Sequence, residues 1–183
     1  ADYVFTAKGD QTLLIANTGN DAYLINVQGA TATPSKVTFN LANGDMQGLV
    51  NTTDESTLNL NLSDGATWQL ANNGNSSQAT FTTLNVASAN LIAHDSNKGD
   101  SFADQSTSNF DLRGNVVANN SQIDMKNGVA GDQLTINGNY TTGGNTWLMD
   151  SFLTGEGQST NLGADGRSYT DNVRITGNVT GQN

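Results

Sequence analysis

No cysteine occurs in this 183-residue sequence, and the only proline is Pro34. The first absence removes the disulfide staples on which small secreted domains often rely. Apolar residues make up 35% of the chain and aromatics 7%, which is thin for a globular core. Disordered chains pair low hydrophobicity with high charge and abundant proline. Here proline is nearly missing and charged residues are only 13%, so disorder is not the reading. Seven basic residues are scattered through a chain of net charge −10, with a pI near 4.1. Nucleic-acid binding is excluded, because phosphate neutralisation needs clustered Lys and Arg. No apolar run approaches the roughly 20 residues that cross a bilayer as a helix. The first ten residues, ADYVFTAKGD, lack the basic and apolar regions of an export signal. The expectation is a mature or excised piece, with any membrane anchor outside it.

What fills the chain instead is Asn, Thr, Ser, Gln and Gly. Thr suits a pleated surface, and Asn and Gly suit tight turns with positive φ. An acidic, cysteine-free chain of this composition is typical of proteins exported across a bacterial envelope. Helical periodicity is nearly absent. Short period-2 segments recur, each closed by Gly, Asn or Asp: KVTFNLANGD, STLNLNLSDG, ATWQLANNGN, TTLNVASANL, NFDLRGNVV, SQIDMKNG, DQLTINGNY and NVRITGNV. Each carries two or three apolar residues on one face. A sandwich and a solenoid both produce short strands of this kind. Asn and Gly after almost every strand favour a coil that turns corners, and outward Asn, Thr, Asp and Gln favour stacked amide ladders. At roughly 20–25 residues per rung, seven or eight rungs fit. Asn72 to Gln78 and Ser96 to Asn109 are the expected protruding loops.

Few residues suggest chemistry. His94 is the only histidine and stands beside Asp95, but adjacent residues of a strand point to opposite faces and do not form a catalytic pair with each other. No G-x-S-x-G motif is present. The lone Gly143-Gly144 pair has no Asp in the register of a calcium-binding nonapeptide array. Arg113, Arg167 and Arg174 and the scattered aspartates make no clustered lyase or hydrolase pattern. Trp68 lies in phase with Leu70 and reads as rung core. Trp147 sits with Leu148, Met149 and Phe152 in an apolar patch that fits a capping layer.

The stretch from Leu134 to Gly181 carries a more specific signal. Asp132 to Tyr140 reads DQLTINGNY, and Thr170 to Gly181 reads TDNVRITGNVTG. This closely resembles the end of the passenger domain in Gram-negative autotransporters of the pertactin-like, type V secretion kind. In them an LTI-x-GNY motif and a TD-x-(aliphatic)-x-(aliphatic)-x-G ending form the last rungs and cap. ATWQLANNGNS is similar to the same family's recurring Trp-containing rung. The loop SFLTGEGQSTNLGADGRSYTD is longer than the family's usual acidic connection.

The resemblance implies an all-β fold, a right-handed parallel β-helix with a C-terminal β-hairpin or sandwich-like cap. Residues 1–108 are then rungs of a stem, and 109–183 the last rungs and an autochaperone region. That region would nucleate folding of upstream rungs during outer-membrane secretion and help display a virulence or adhesin passenger at the bacterial surface. Leu134, Ile136, Tyr140, Trp147, Leu148, Phe152, Val173 and Ile175 are expected to form the cap core, with Trp68 and Leu70 in a rung core. No catalysis, cofactor or metal is expected. The implied partners are the chain's own upstream passenger and a downstream β-barrel translocator. An adhesin that contacts host cells or self-associates is the alternative, and a polysaccharide-active β-helix enzyme is a more distant one.

Overall fold

The computed structural model describes residues 1–16, 19–95, 107–151 and 170–182, and these build a parallel β-helix. The first coil holds β1 (Asp2–Lys8), β2 (Leu13–Ile15) and β3 (Ile25–Val27). The second holds β4 (Lys36–Ala42), β5 (Asp45–Gln47) and β6 (Val50–Thr52). Then follow β7 (Thr57–Ser63) with β8 (Thr67–Gln69), β9 (Gln78–Ala87) with β10 (Asn90–Ile92), and β11 (Asn109–Asn119) with β12 (Gln122–Asp124). The last two coils are β13 (Gln133–Asn137), β14 (Tyr140–Gly143) and β15 (Thr146–Leu148), then β16 (Asn172–Ile175) and β17 (Val179–Gln182).

The long sheet runs in the order β1-β4-β7-β9-β11-β13-β16, and the second sheet in the order β15-β12-β10-β8-β5-β2. Every pairing between these strands is parallel. Each coil thus bonds to the coil before and the coil after. The paired offset is 21 residues from Lys36 to Thr57 and 24 from Asn59 to Thr83. It grows to 34 from Asp2 to Lys36, 32 from Thr83 to Asn115 and 39 from Gln133 to Asn172. The β9–β11 ladder carries one register shift, between Arg113 and Asn115.

Alternation along each strand sends one set of side chains into the coil, where they stack in columns. One column is Phe5, Phe39, Leu60, Leu84, Val116, Tyr140 and Val179. Another, on the second sheet, is Leu14, Met46, Trp68, Leu91, Ile123 and Trp147. Trp68 is wholly buried, donates from Nε1 to the Gly48 carbonyl at 2.9 Å and meets Phe81 edge-on. Leu70 is wholly buried as well. Each fully buried Leu or Phe contributes roughly 1.5–3 kcal/mol. A chain with few apolar residues can hold this fold because the columns gather them into one continuous core.

Outward positions form the amide ladder that the composition suggests. Asn85 donates to Asn61 at 2.7 Å, Asn61 to Asn40 at 2.8 Å, and Asn40 to Thr6 at 3.3 Å. The corner after the long sheet is made by one left-handed residue per coil: Asn43 (φ 51°), Asp64 (53°), Ser88 (50°), Asn120 (47°) and Gly144 (65°). Asn, Asp and Gly tolerate this conformation best. That explains the turn residue after each strand.

The ends of the stack differ. At the β1–β2 end, Tyr3, Val4, Phe5, Leu13 and Ile15 are all at least half exposed. Tyr3 and Phe5 are inward-column residues in register with Val37 and Phe39, with no coil over them. At the other end, Met149 and Val179 are the large apolar residues that face solvent among the described residues.

Candidate functional site in the C-terminal coils

The last three coils are built around a repeated dipeptide. Gly114-Asn115, Gly138-Asn139 and Gly177-Asn178 occupy one corner and stack on each other. In β11 the glycine marks a register shift between Arg113 and Asn115. In the next coil it separates β13 from β14, both of which pair with β11. The backbones approach so closely that a Cβ on Gly177 would stand 2.4 Å from the Gly138 carbonyl oxygen. Each of the first two asparagines caps the coil that follows it in the chain. Asn115 Oδ1 accepts the N–H of Asn139 at 3.0 Å, and Asn139 Oδ1 that of Asn178 at 2.9 Å.

This corner positions the expected cap residues. Leu134, Ile136 and Tyr140 are buried in the continuous core. Val173 and Ile175 stack on Leu134 and Ile136 from the last coil and are partly buried. Trp147 is partly buried on the edge strand of the second sheet, with its ring edge-on to Tyr140 at 6.0 Å. Leu148 is half-buried and Met149 exposed. Phe152 lies outside the described residues. β14 and β15 lie in different sheets around the Gly144 corner. Ser151 and Thr170 form an isolated antiparallel bridge, and residues 152–169 lie outside the described residues.

Two polar devices hold the corners. Asn145 fills the first. Its Oδ1 accepts the Ser121 N–H at 3.0 Å, and its Nδ2 donates to the Ala118 carbonyl at 2.7 Å and to Thr142 Oγ1 at 2.8 Å. At the other corner a spine of side chains receives the N–H of the coil below: Ser56 from Ser35, Asp132 from Ser108, and Asp171 from Asp132. Asp171 also takes the N–H groups of Gly131 and Asp150, and Asp150 those of Asn127 and Gly128. Asp132 has no exposed surface, and burial pushes its carboxyl up to about 6. The Ser108 N–H opposes that rise, and the neighbouring Asp171 charge adds to it. The Asn127 amide eases it in part, although no hydrogen bond of good geometry reaches Asp132 Oδ2. Asp171 is raised too, again by burial, against the N–H groups of Asp150 and Asp132.

His94 and Asp95 lie just after β10, outside the strand, and do not form a pair. Asp95 is buried and accepts the Asn72 N–H, whereas His94 is half-buried and accepts through its carbonyl from Gln69. Among the described residues, no three acidic, His or Cys side chains converge as metal ligands. The loop Asn72 to Gln78 is folded down, with Asn73 donating to the Ala22 carbonyl and Asn75 to Asp21. Residues 96–106 of the second expected loop are not described. The glycine–asparagine column, Asn145 and the Asp132–Asp171 spine were not singled out from the sequence. The signal for the column was present as RGNV, NGNY and TGNV. Nothing in the sequence marks Asn145 among so many asparagines.

No protein-family profile matches the chain, and no solved structure does. Over 75 residues, 40% of its length, the chain is 39% identical to the Escherichia coli (strain K12) protein named "Probable autotransporter YfaL". It spans 6% of that relative's length. The parallel coils and this stretch together make the chain similar to part of an autotransporter.

Proposed function

We propose that this chain is a non-catalytic C-terminal passenger segment of an autotransporter, serving as stem and autochaperone at the bacterial cell surface. The reading is carried by the continuous parallel coils together with the 75-residue stretch that is 39% identical to a probable autotransporter. A coil alone buries too little surface to be stable, so it needs a folded neighbour to stack on. The β1 edge offers upstream coils both unpaired backbone and apolar area. The C-terminal coils supply the glycine–asparagine corner, the Asn145 plug and the aspartate spine. In this reading the partners are the upstream passenger and a downstream β-barrel in the outer membrane.

The test is surface display of the full-length protein, with thermal unfolding of this chain measured alongside. Trp147→Ala and Ile136→Asp should lower both stability and display. Unchanged unfolding and display in both variants would sink the reading.

A further inference from the structure

We propose that the outer face of the long sheet over β9, β11, β13 and β16 is a binding trough for a carboxylated glycan, with Arg174 as the carboxylate anchor. The trough has a volume of about 530 Å³, and amide, hydroxyl, carboxylate and guanidinium side chains line it. Its floor is a grid. One column runs Gln78, Asp111, Thr135 and Arg174, in register from coil to coil, and Asn137 stands in the next. Stacked coils lie about 4.8 Å apart, close to the length of one pyranose unit, so a sugar chain along the solenoid axis meets a fresh row at each residue.

The charges are unequal along the trough. Asp111 is already engaged: Arg113 Nε donates to it at 3.1 Å, and the Asn137 amide donates to its other oxygen. Arg174 is exposed and makes no ion pair among the described residues. A free guanidinium presents a planar fork that matches a carboxylate in two parallel hydrogen bonds. Amides and hydroxyls on either side both donate and accept, as sugar hydroxyls require. Among the described residues, no aromatic or aliphatic side chain larger than the Thr methyls lines the trough, which leaves a protein partner without the buried anchors such interfaces use. The net charge of −10 disfavours densely charged polyanions. At physiological salt that repulsion is screened beyond about 8 Å, so sparse carboxylates can still approach the guanidinium.

The inference does not rest on the secretory reading. Its test is affinity electrophoresis and calorimetry of the full chain with hyaluronate, whose carboxylates stand only on alternate sugars, with the same polymer methyl-esterified, and with a neutral glucan. The acid polymer should bind and its ester should bind more weakly. Arg174→Gln should weaken binding of the acid form about tenfold, the loss of one charge-assisted contact, and leave thermal unfolding unchanged. Asn137→Ala should weaken both forms. Equal binding of acid and ester, parent-like binding by Arg174→Gln, or no binding of the acid polymer at millimolar sugar would overturn the proposal.

Discussion

Gly138 lies so close to the carbonyl oxygen of Gly114 that a Cβ on it would stand 2.1 Å from that atom. The obstacle is backbone, and it cannot rotate away as a side chain can. Gly138→Ala must therefore push two coils apart. The expected cost is on the order of 1–3 kcal/mol or more, read as a lower midpoint in denaturant unfolding. Gly19→Ala is the control, since no atom lies within 4 Å of its Cβ. Equal midpoints for the two variants would remove the stacked-glycine account of this corner.

Asn145 satisfies groups on two coils at once. Asn145→Ala leaves the Ser121 N–H and the Ala118 carbonyl without that partner. A buried polar group left unpaired costs about 1–3 kcal/mol, so the variant should unfold earlier by that amount. Hydrogen exchange should quicken at Ser121 in particular. Unchanged protection there would show that water replaces the amide.

The two tryptophans should differ. Trp68 is enclosed by coils on both sides, and Trp68→Ala should cost about 3–5 kcal/mol. Trp147 has a coil on one side only, so Trp147→Ala should cost roughly half as much or less. Parallel thermal melts decide this, and an equal loss would mean that Trp147 is covered in solution.

Asp132 ties stability to pH. Its carboxyl ionises near 6 in the folded chain, against 3.8 for an unperturbed group. Between these values the folded state holds a proton that the unfolded state has released. Its contribution is thus full below about pH 4 and fades as pH rises through 6. The change is on the order of 1–2 kcal/mol once solvent near the corner is allowed for. Asp132→Asn should flatten the fall in stability between pH 4 and 7. A parent-like slope in that variant would assign the effect to other groups, with Asp171 the first to examine because burial raises it as well.

Much of the solenoid was legible in the sequence because its rule is local. Alternation placed Leu58, Leu60 and Leu62 inside, and the polar turn residue after each strand foretold the left-handed corner at Asn43, Asp64 and Asn120. Irregular offsets of 21 to 39 residues hid the phasing, so the columns emerged only from the pairing. The site was less legible. Asn145 and Asp132 matter through backbone groups 24 residues away, and no local pattern reports which amide or carboxylate will face them.

The varying offsets between paired strands also bear on how such a chain can change over generations. Registers remain parallel whether 21 or 39 residues separate the partners, and the difference in length falls between strands, not within them. Length is therefore a property of the corners and pairing a property of the strands, and the two can drift independently. An inserted segment at one corner shifts no side chain in the columns above or below. The solenoid can acquire new surface modules without renegotiating its core.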